Sequence, residues 1–584
     1  MMRRRHIAAR YLSAASALAT VLTMGAGTPA FAAKSGVVVD GEPTPEACAA
    51  YGFRPAGGET ETFIGVAPPL AMPAPMVVQG TVADTLAMEG RSVAFGGAVP
   101  APPFVPGQPV DTENYPDVDD NPVQRTLDEP LSTFSIDVDT ASYSNLRRFL
   151  LDGQAPPTDA VRIEELINYF DYDYALPRSA DEPFAASVTV APSPWAEGRQ
   201  IVHIGLQGYD LPPAEQPPLN LVFLVDVSGS MWSPDRLPLA QRALDVLVDE
   251  LRPEDTVSMV VYAGAAGAVL EPTPGTQKLR IRCAISSLEA GGSTAGGQGL
   301  ELAYDLAERN FSEDAVNRVV LMTDGDFNVG IADPERLEDL VADERDTGIY
   351  LSVFGFGRGN YNDVMMQTLS QAGNGTAGYI DTFEEANRLF HEDFASSLFP
   401  IADDVKIQVE FNPARVAEYR LIGYETRLLD AADFNNDQVD AGEVGSGASV
   451  TAIYEITPVG GPLQIPPLRF GDGTGATEPS GDYAYLSIRY KLPGEDESRL
   501  MERPITPADR VDSVAAAPEA TRWALAVAAY GQLLRDAPYL APGFGWAAVH
   551  DLAAGALGED PYGIRAEFLD LVERAQRIGG PAVK

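Results

Sequence analysis

The sequence predicts an α/β fold: a doubly wound parallel sheet inserted in a β-sandwich, with an α-helical C-terminal region. Three observations lead there. The runs Leu221-Val222-Phe223-Leu224-Val225-Asp226 and Val319-Val320-Leu321-Met322-Thr323-Asp324 are almost wholly apolar and end in an aspartate, as buried central strands do. Around them strand-like and helix-like segments alternate over roughly 180 residues, which fixes a parallel sheet covered on both faces. After Pro400 the period changes, and Val405-Lys406-Ile407-Gln408-Val409-Glu410-Phe411 alternates as a half-buried antiparallel strand does.

The chain of 584 residues is too long for one core. Residues 1–32 read as a secretory signal peptide. Arg3, Arg4, Arg5 and Arg10 precede an apolar stretch at 11–26, and Ala30-Phe31-Ala32 supplies a small-x-small cleavage site. The expectation is a protein that is periplasmic or secreted after cleavage near Ala32. No later run approaches the ~18 apolar residues of a membrane span, so no transmembrane segment is expected. Residues 33–122 are Pro-, Gly- and Ala-rich and read as a disordered tether.

An N-terminal module is expected over 123–178, with a strand at 132–138 and helices at 142–151 and 162–170. Asp137 and Asp139 there read as a strand end and a helix cap. Strands at 185–191 and 200–207 belong to a flanking sandwich over 179–215, and the Pro-rich 211–218 is a hinge. The α/β unit occupies 216–400. Its helices fall at 237–251, 277–288, 299–309, 334–346, 362–372 and 383–398. Its strands are the two apolar runs, 256–263, 349–355, 377–381 and a short edge at 268–271. Pro238 is tolerated in the first turn of its helix. The sandwich resumes over 401–500 with strands at 405–411, 450–457 and 483–490. A helical domain over 501–580 has amphipathic helices at 519–535, 546–557 and 564–578.

The chemistry concentrates where the first apolar run ends, in Asp226-Val227-Ser228-Gly229-Ser230. One carboxylate and two hydroxyls stand two residues apart at the carboxyl end of a central strand, where open α/β sheets bind ligands. Such hard oxygen donors suit Mg²⁺ or Mn²⁺. By chance the triplet occurs roughly once in six or seven chains of this length, so its surroundings must decide. They supply Thr294, in the Gly-rich stretch 291–297, and Asp324 at the second strand end. In that order these residues resemble the metal-ion-dependent adhesion site of von Willebrand factor type A domains. The resemblance implies that Ser228, Ser230 and Thr294 ligate the ion, with Asp226 and Asp324 acting directly or through water. The arrangement also resembles a bacterial family in which such a domain lies between its own N-terminal module and a C-terminal domain of unknown function. The matching stretches are 132–148, 323–330 and 433–445, and the likeness spans about residues 111–580. It implies the fold and the metal site, and no particular activity.

Other signals are weaker. Asp433-Phe434-Asn435-Asn436-Asp437 begins like a Ca²⁺ loop, but Gln438 and Val444 stand where Gly and Glu are needed, so an Asx-rich turn is expected. Trp232 follows the metal loop and either anchors a partner or covers the next helix. His203, His391 and His550 lie on separate elements without ligand spacing. There is no G-x-S-x-G, no phosphate loop with its Lys and no H-E-x-x-H, so no enzyme is expected. The formal net charge of −43 makes nucleic acid a poor partner. Cys283 reads as a small buried hydrophobe and Cys48 falls in the expected tether, so no disulfide between them is expected, although an oxidising compartment permits one. Two functions follow. One is an exported, cation-dependent binding module whose ion takes a carboxylate from the Asp or Glu of a protein partner. The alternative is an envelope scaffold in which the metal only stabilises the loops.

Overall fold

A computed structural model describes residues 42–54, 113–263, 265–291, 296–325, 334–466, 481–495 and 497–579. The α/β unit is built on a six-stranded sheet in the order Ala377–Ile380, Ile349–Phe356, Val316–Thr323, Leu219–Asp226, Thr256–Tyr262, Ala266–Pro274. The first five run parallel. The last is antiparallel to its neighbour, a difference from the all-parallel expectation. The short link after Tyr262 leaves no chain for a crossover, so only a hairpin can form.

Strand Leu219–Asp226 explains the two-sided cover. Leu221, Phe223 and Val225 face the helices Leu237–Glu250 and Lys278–Ser286, while Val222 and Leu224 face Gly296–Arg309. Every residue of the strand is buried, so both faces must be apolar. The expected closing helix at 383–398 is interrupted. Helical turns at Phe383–Asn387 and Phe394–Leu398 flank a wider π turn at Arg388–Glu392. Arg388 there pairs with Glu385 and Asp393 at 2.6 Å each and stacks on Tyr169. A π turn of this kind is a local insertion that re-aims a side chain.

The unit is inserted between strands Gln200–Gly208 and Pro400–Phe411 of a two-sheet sandwich. One sheet runs Gln124–Arg125, Val416–Ile422, Ser449–Pro458, Gln200–Gly208, Phe184–Pro192. The other runs Gly442–Gly445, Pro400–Phe411, Ala484–Lys491, Arg499–Ile505, with Leu131–Ser135 also paired to Pro400–Phe411. Val416–Ile422 escaped the sequence reading because Glu418 and Arg420 are buried with its apolar residues. Arg420 donates to Gln532 at 2.8 Å and lies over the Tyr539 ring, so the outer face of this sheet is covered as well.

That cover unites two segments expected as separate domains. Helices Ala141–Leu151 and Ile163–Asn168 share one core with Glu519–Leu534, Trp546–Ala554 and Ile564–Ile578. Phe170, Trp523 and Phe568 meet edge to face with ring centroids 5.2–5.6 Å apart. Arg147 joins this body to the α/β unit. It pairs with Asp381 at 2.5 Å and Glu385 at 2.8 Å on one side, and bonds Tyr169 at 3.0 Å and Glu567 at 3.1 Å on the other.

The expectation for the cysteines is overturned. Cys48 and Cys283 form a disulfide with Cα atoms 5.1 Å apart. Cys48 lies on a short helix, Pro45–Ala50, that is capped by Thr44 and packs against the helix Lys278–Ser286, and Cys48 itself is fully buried. Composition alone marked 33–122 as a tether, yet this covalent link orders 42–54 within it. Residues 55–112 lie outside the described residues. Among the described residues no helix is long and apolar enough to cross a membrane.

Peptide mapping without reduction should recover Cys48 and Cys283 in one cross-linked species that reductant separates; two free thiols would contradict the staple. A second outcome concerns His203, fully buried between the Tyr174 hydroxyl at 3.0 Å and Thr521 Oγ1 at 3.3 Å. Burial pushes its pKa down to about 3 from 6.5. The unfolded chain therefore takes up a proton below pH 6.5 that the folded chain refuses, and stability is lost as pH falls from there. Between pH 7 and 5 the native protein should lose on the order of 2 kcal/mol more than His203→Gln in urea unfolding. Parallel losses in the two proteins would contradict this.

Candidate functional site

The central strands end together. Strand Leu219–Asp226 pairs Val225 with Met322 of the neighbouring strand, so Asp226 and Asp324 leave the same edge of the sheet. Both are fully buried. After Asp226 the chain turns sharply: the Ser228 N–H donates to Asp226 Oδ1 at 2.8 Å, which exposes the loop that follows. The turn Gly229–Trp232 then lifts Ser230 so that its Oγ lies 2.9 Å from Ser228 Oγ. Thr323 Oγ1 donates to Asp226 Oδ2 at 3.4 Å and accepts the Gly325 N–H at 3.2 Å, tying the two strand ends together. Gly325 has φ +94°, and a Cβ there would lie 2.6 Å from Asn360 O, so no other residue fits.

The structure thus brings together Asp226, Ser228, Ser230 and Asp324. Thr294 lies outside the described residues. Both flanks of its loop are placed at the site: the Gly291 N–H donates to Val227 O at 2.7 Å, and helix Gly296–Arg309 packs on strand Leu219–Asp226. That packing is tight, since a Cβ on Gly299 would fall 2.8 Å from Tyr262 Cβ.

Burial raises the Asp226 carboxyl to about 6, the Ser228 N–H lowers it and the charge of Asp324 raises it again. Two buried carboxylates at one edge call for a positive charge. Part of it comes from Arg236, whose Nη1 is 2.5 Å from Asp324 Oδ2 and 2.9 Å from Ser230 O. The sequence reading missed Arg236. Its signal was position: it stands at the N-terminus of helix Leu237–Glu250, where a cation is unfavourable unless something else holds it. The donor set, two hydroxyls beside two carboxylates with a guanidinium already standing in as a cation, fits a small hard divalent ion. Trp232 is 74% exposed, so it does not cover the next helix.

A second acidic group has a different character. The carboxylates of Asp137, Asp139 and Glu165 lie within 4.8 Å of one another and are buried. Arg427 bridges Asp137 and Asp139 at 3.0 and 3.1 Å, the Ala377 N–H reaches Asp139 at 2.7 Å, and Arg162 pairs with Glu165. Asp139 is no helix cap, contrary to expectation; Glu165 accepts the Ser142 N–H at 2.7 Å instead. The lone pairs are spent on arginines and N–H groups, so this trio joins domains. The 433–440 stretch holds Asx-type bonds, with the Gln438 N–H on Asn436 Oδ1 at 3.1 Å and Asp437 tied to Ser498 at 2.6 Å.

Comparison with known proteins agrees with this architecture. The family "von Willebrand factor type A domain" matches residues 220–392, "von Willebrand factor" matches 109–203, and "Uncharacterized protein YfbK, C-terminal" matches 396–578. The chain is 45% identical over 475 residues to "Uncharacterized protein YfbK" of Escherichia coli (strain K12), covering 80% of this chain and 82% of that one. It is 30% identical over 177 residues to "Uncharacterized protein sll0103" of Synechocystis, covering 30% and 41%. A solved "von Willebrand factor type A from Catenulispora acidiphila" is 16% identical, with a TM-score of 0.39 over 71% of this chain and 99% of that one. The chain belongs to the YfbK family of bacterial von Willebrand factor type A domain proteins.

Proposed function

We propose that this protein is an exported, divalent-cation-dependent binding module for another protein. The observation that carries the reading is the convergence of Asp226, Ser228, Ser230 and Asp324 at the ends of adjacent central strands. Ser228, Ser230 and Thr294 hold Mg²⁺ or Mn²⁺, and Asp226 and Asp324 act directly or through water. The bound ion supplies an open coordination position for an Asp or Glu side chain of the partner. The chain's own residues do the rest. Thr323 and the Ser228 N–H aim the Asp226 carboxylate, and Trp232 offers an exposed aromatic anchor at the rim. Export is supported by the Cys48–Cys283 disulfide, a bond that persists in oxidising compartments. It is supported also by the leader-like 1–32, which lies outside the described residues, with Ala32 as the proposed cleavage point.

The scaffold reading draws on the shared cores, since Arg147 and the Phe170–Trp523–Phe568 cluster weld the domains whatever the ion does. A chelator separates the two. Capture from an envelope extract in Mg²⁺ and again in EDTA should recover the partner only with the ion, with unchanged secondary structure. Equal recovery would favour the scaffold.

In calorimetry, Ser228→Ala combined with Thr294→Ala should abolish Mg²⁺ and Mn²⁺ binding without unfolding the chain; unchanged stoichiometry would overturn the site. Trp232→Ala should weaken partner binding about tenfold or more while leaving ion affinity alone. Binding by the native protein should slow as salt rises, because the acidic surface steers a partner that is basic or neutral around one protruding carboxylate.

A further inference from the structure

Arg236 sits where three loops meet. Its Nη1 donates to Asp324 and to the Ser230 carbonyl, and its Nη2 donates to Arg358 O at 2.5 Å and Asn360 Oδ1 at 2.9 Å. A single guanidinium therefore binds a site carboxylate, the backbone of the Ser228–Ser230 turn and the 357–360 loop. Gly357 is shaped around it, with φ +75° and a Cβ position only 2.2 Å from Arg236 Nε. The loop is fixed from outside as well. Its Gly359 N–H donates to Glu113 at 2.8 Å, Glu113 pairs with Arg148 at 2.6 Å, and the Tyr379 hydroxyl donates to Gly357 O at 2.5 Å. The guanidinium is thus held at the site in part by groups of the 357–360 loop that play no part in coordinating an ion.

Resting on the proposed divalent-ion reading of Asp226, Ser228, Ser230 and Asp324, we infer that Arg236 is a built-in counter-cation that opposes the ion until a partner carboxylate arrives. Asp324 is fully buried, and a buried carboxylate without an opposite charge is costly; Arg236 makes the ion-free site stable. Guanidinium does not give up its proton, so its charge remains when the ion enters. Two buried carboxylates then face a dication and a guanidinium, which leaves one positive charge in excess. One incoming carboxylate removes that excess. Ion and partner should therefore bind cooperatively, each raising the affinity of the other by the same factor.

The test is a Mn²⁺ titration followed by electron paramagnetic resonance on the full chain, with and without acetate as a carboxylate probe. Arg236→Gln should bind Mn²⁺ at least tenfold more tightly than the native protein, and acetate should tighten the native protein severalfold but the variant little. Arg236→Lys, which keeps the charge and loses the fork, should stay near the native affinity. If Arg236→Gln does not fold, Asn360→Ala, which removes one of the guanidinium's two loop acceptors, should tighten Mn²⁺ at least threefold. A folded Arg236→Gln or Asn360→Ala variant with unchanged or weaker Mn²⁺ affinity would overturn the inference. Absence of Mn²⁺ uptake by native protein and variants alike would instead remove the site reading, and this inference with it.

Discussion

Two carboxylates buried at one edge of a sheet are the constraint around which this molecule is organised. Asp226 and Asp324 are carried there by strands too apolar to lie anywhere but the centre of the fold. Once there they have little water to hold their charge, so hydroxyls, N–H groups and a cation must take its place. The Ser228 N–H, Thr323 and Arg236 fill those roles in the structure. On the proposed function a divalent ion adds to this set, with the exposed Trp232 close by in the chain.

The surrounding domains hold this edge still rather than extend it. Arg147 reads as their rivet, because one buried guanidinium joins the last strand of the α/β sheet, the N-terminal module and the final helix. Truncating it would leave Asp381 buried and uncompensated and Glu385 with Arg388 alone, a loss that outweighs what the pairing itself contributes. The Asp137–Asp139–Glu165 trio does similar work at a second junction, where Arg427 and Arg162 bring charge from the sandwich loop and the N-terminal module. The buried arginines of this acidic chain are concentrated where domains meet.

The sequence made some of this legible and hid the rest for physical reasons. The parallel strands were readable because burial on both faces demands unbroken apolar runs, and Asp226 and Asp324 stood out as the residues that end them. Ser228 and Ser230 followed by spacing. Val416–Ile422 was hidden because its outward face meets other protein, so Glu418 and Arg420 replaced the polar alternation that water would have imposed. The disulfide was hidden because pairing across 235 residues depends on tertiary placement that composition does not carry. The union of the N-terminal helices with the C-terminal ones was hidden likewise, since each looks amphipathic alone and neither names its cover. Arg236 was the one missed residue with a local clue, a cation at a helix N-terminus.

On the proposed function, one hard-oxygen site at the strand ends takes a divalent ion. Anomalous diffraction from crystals soaked in Mn²⁺ tests it most directly. One manganese peak should appear, bounded by Ser228, Ser230 and Thr294 and near Asp226 and Asp324. No peak there, or a peak among Asp137, Asp139 and Glu165 instead, would contradict it.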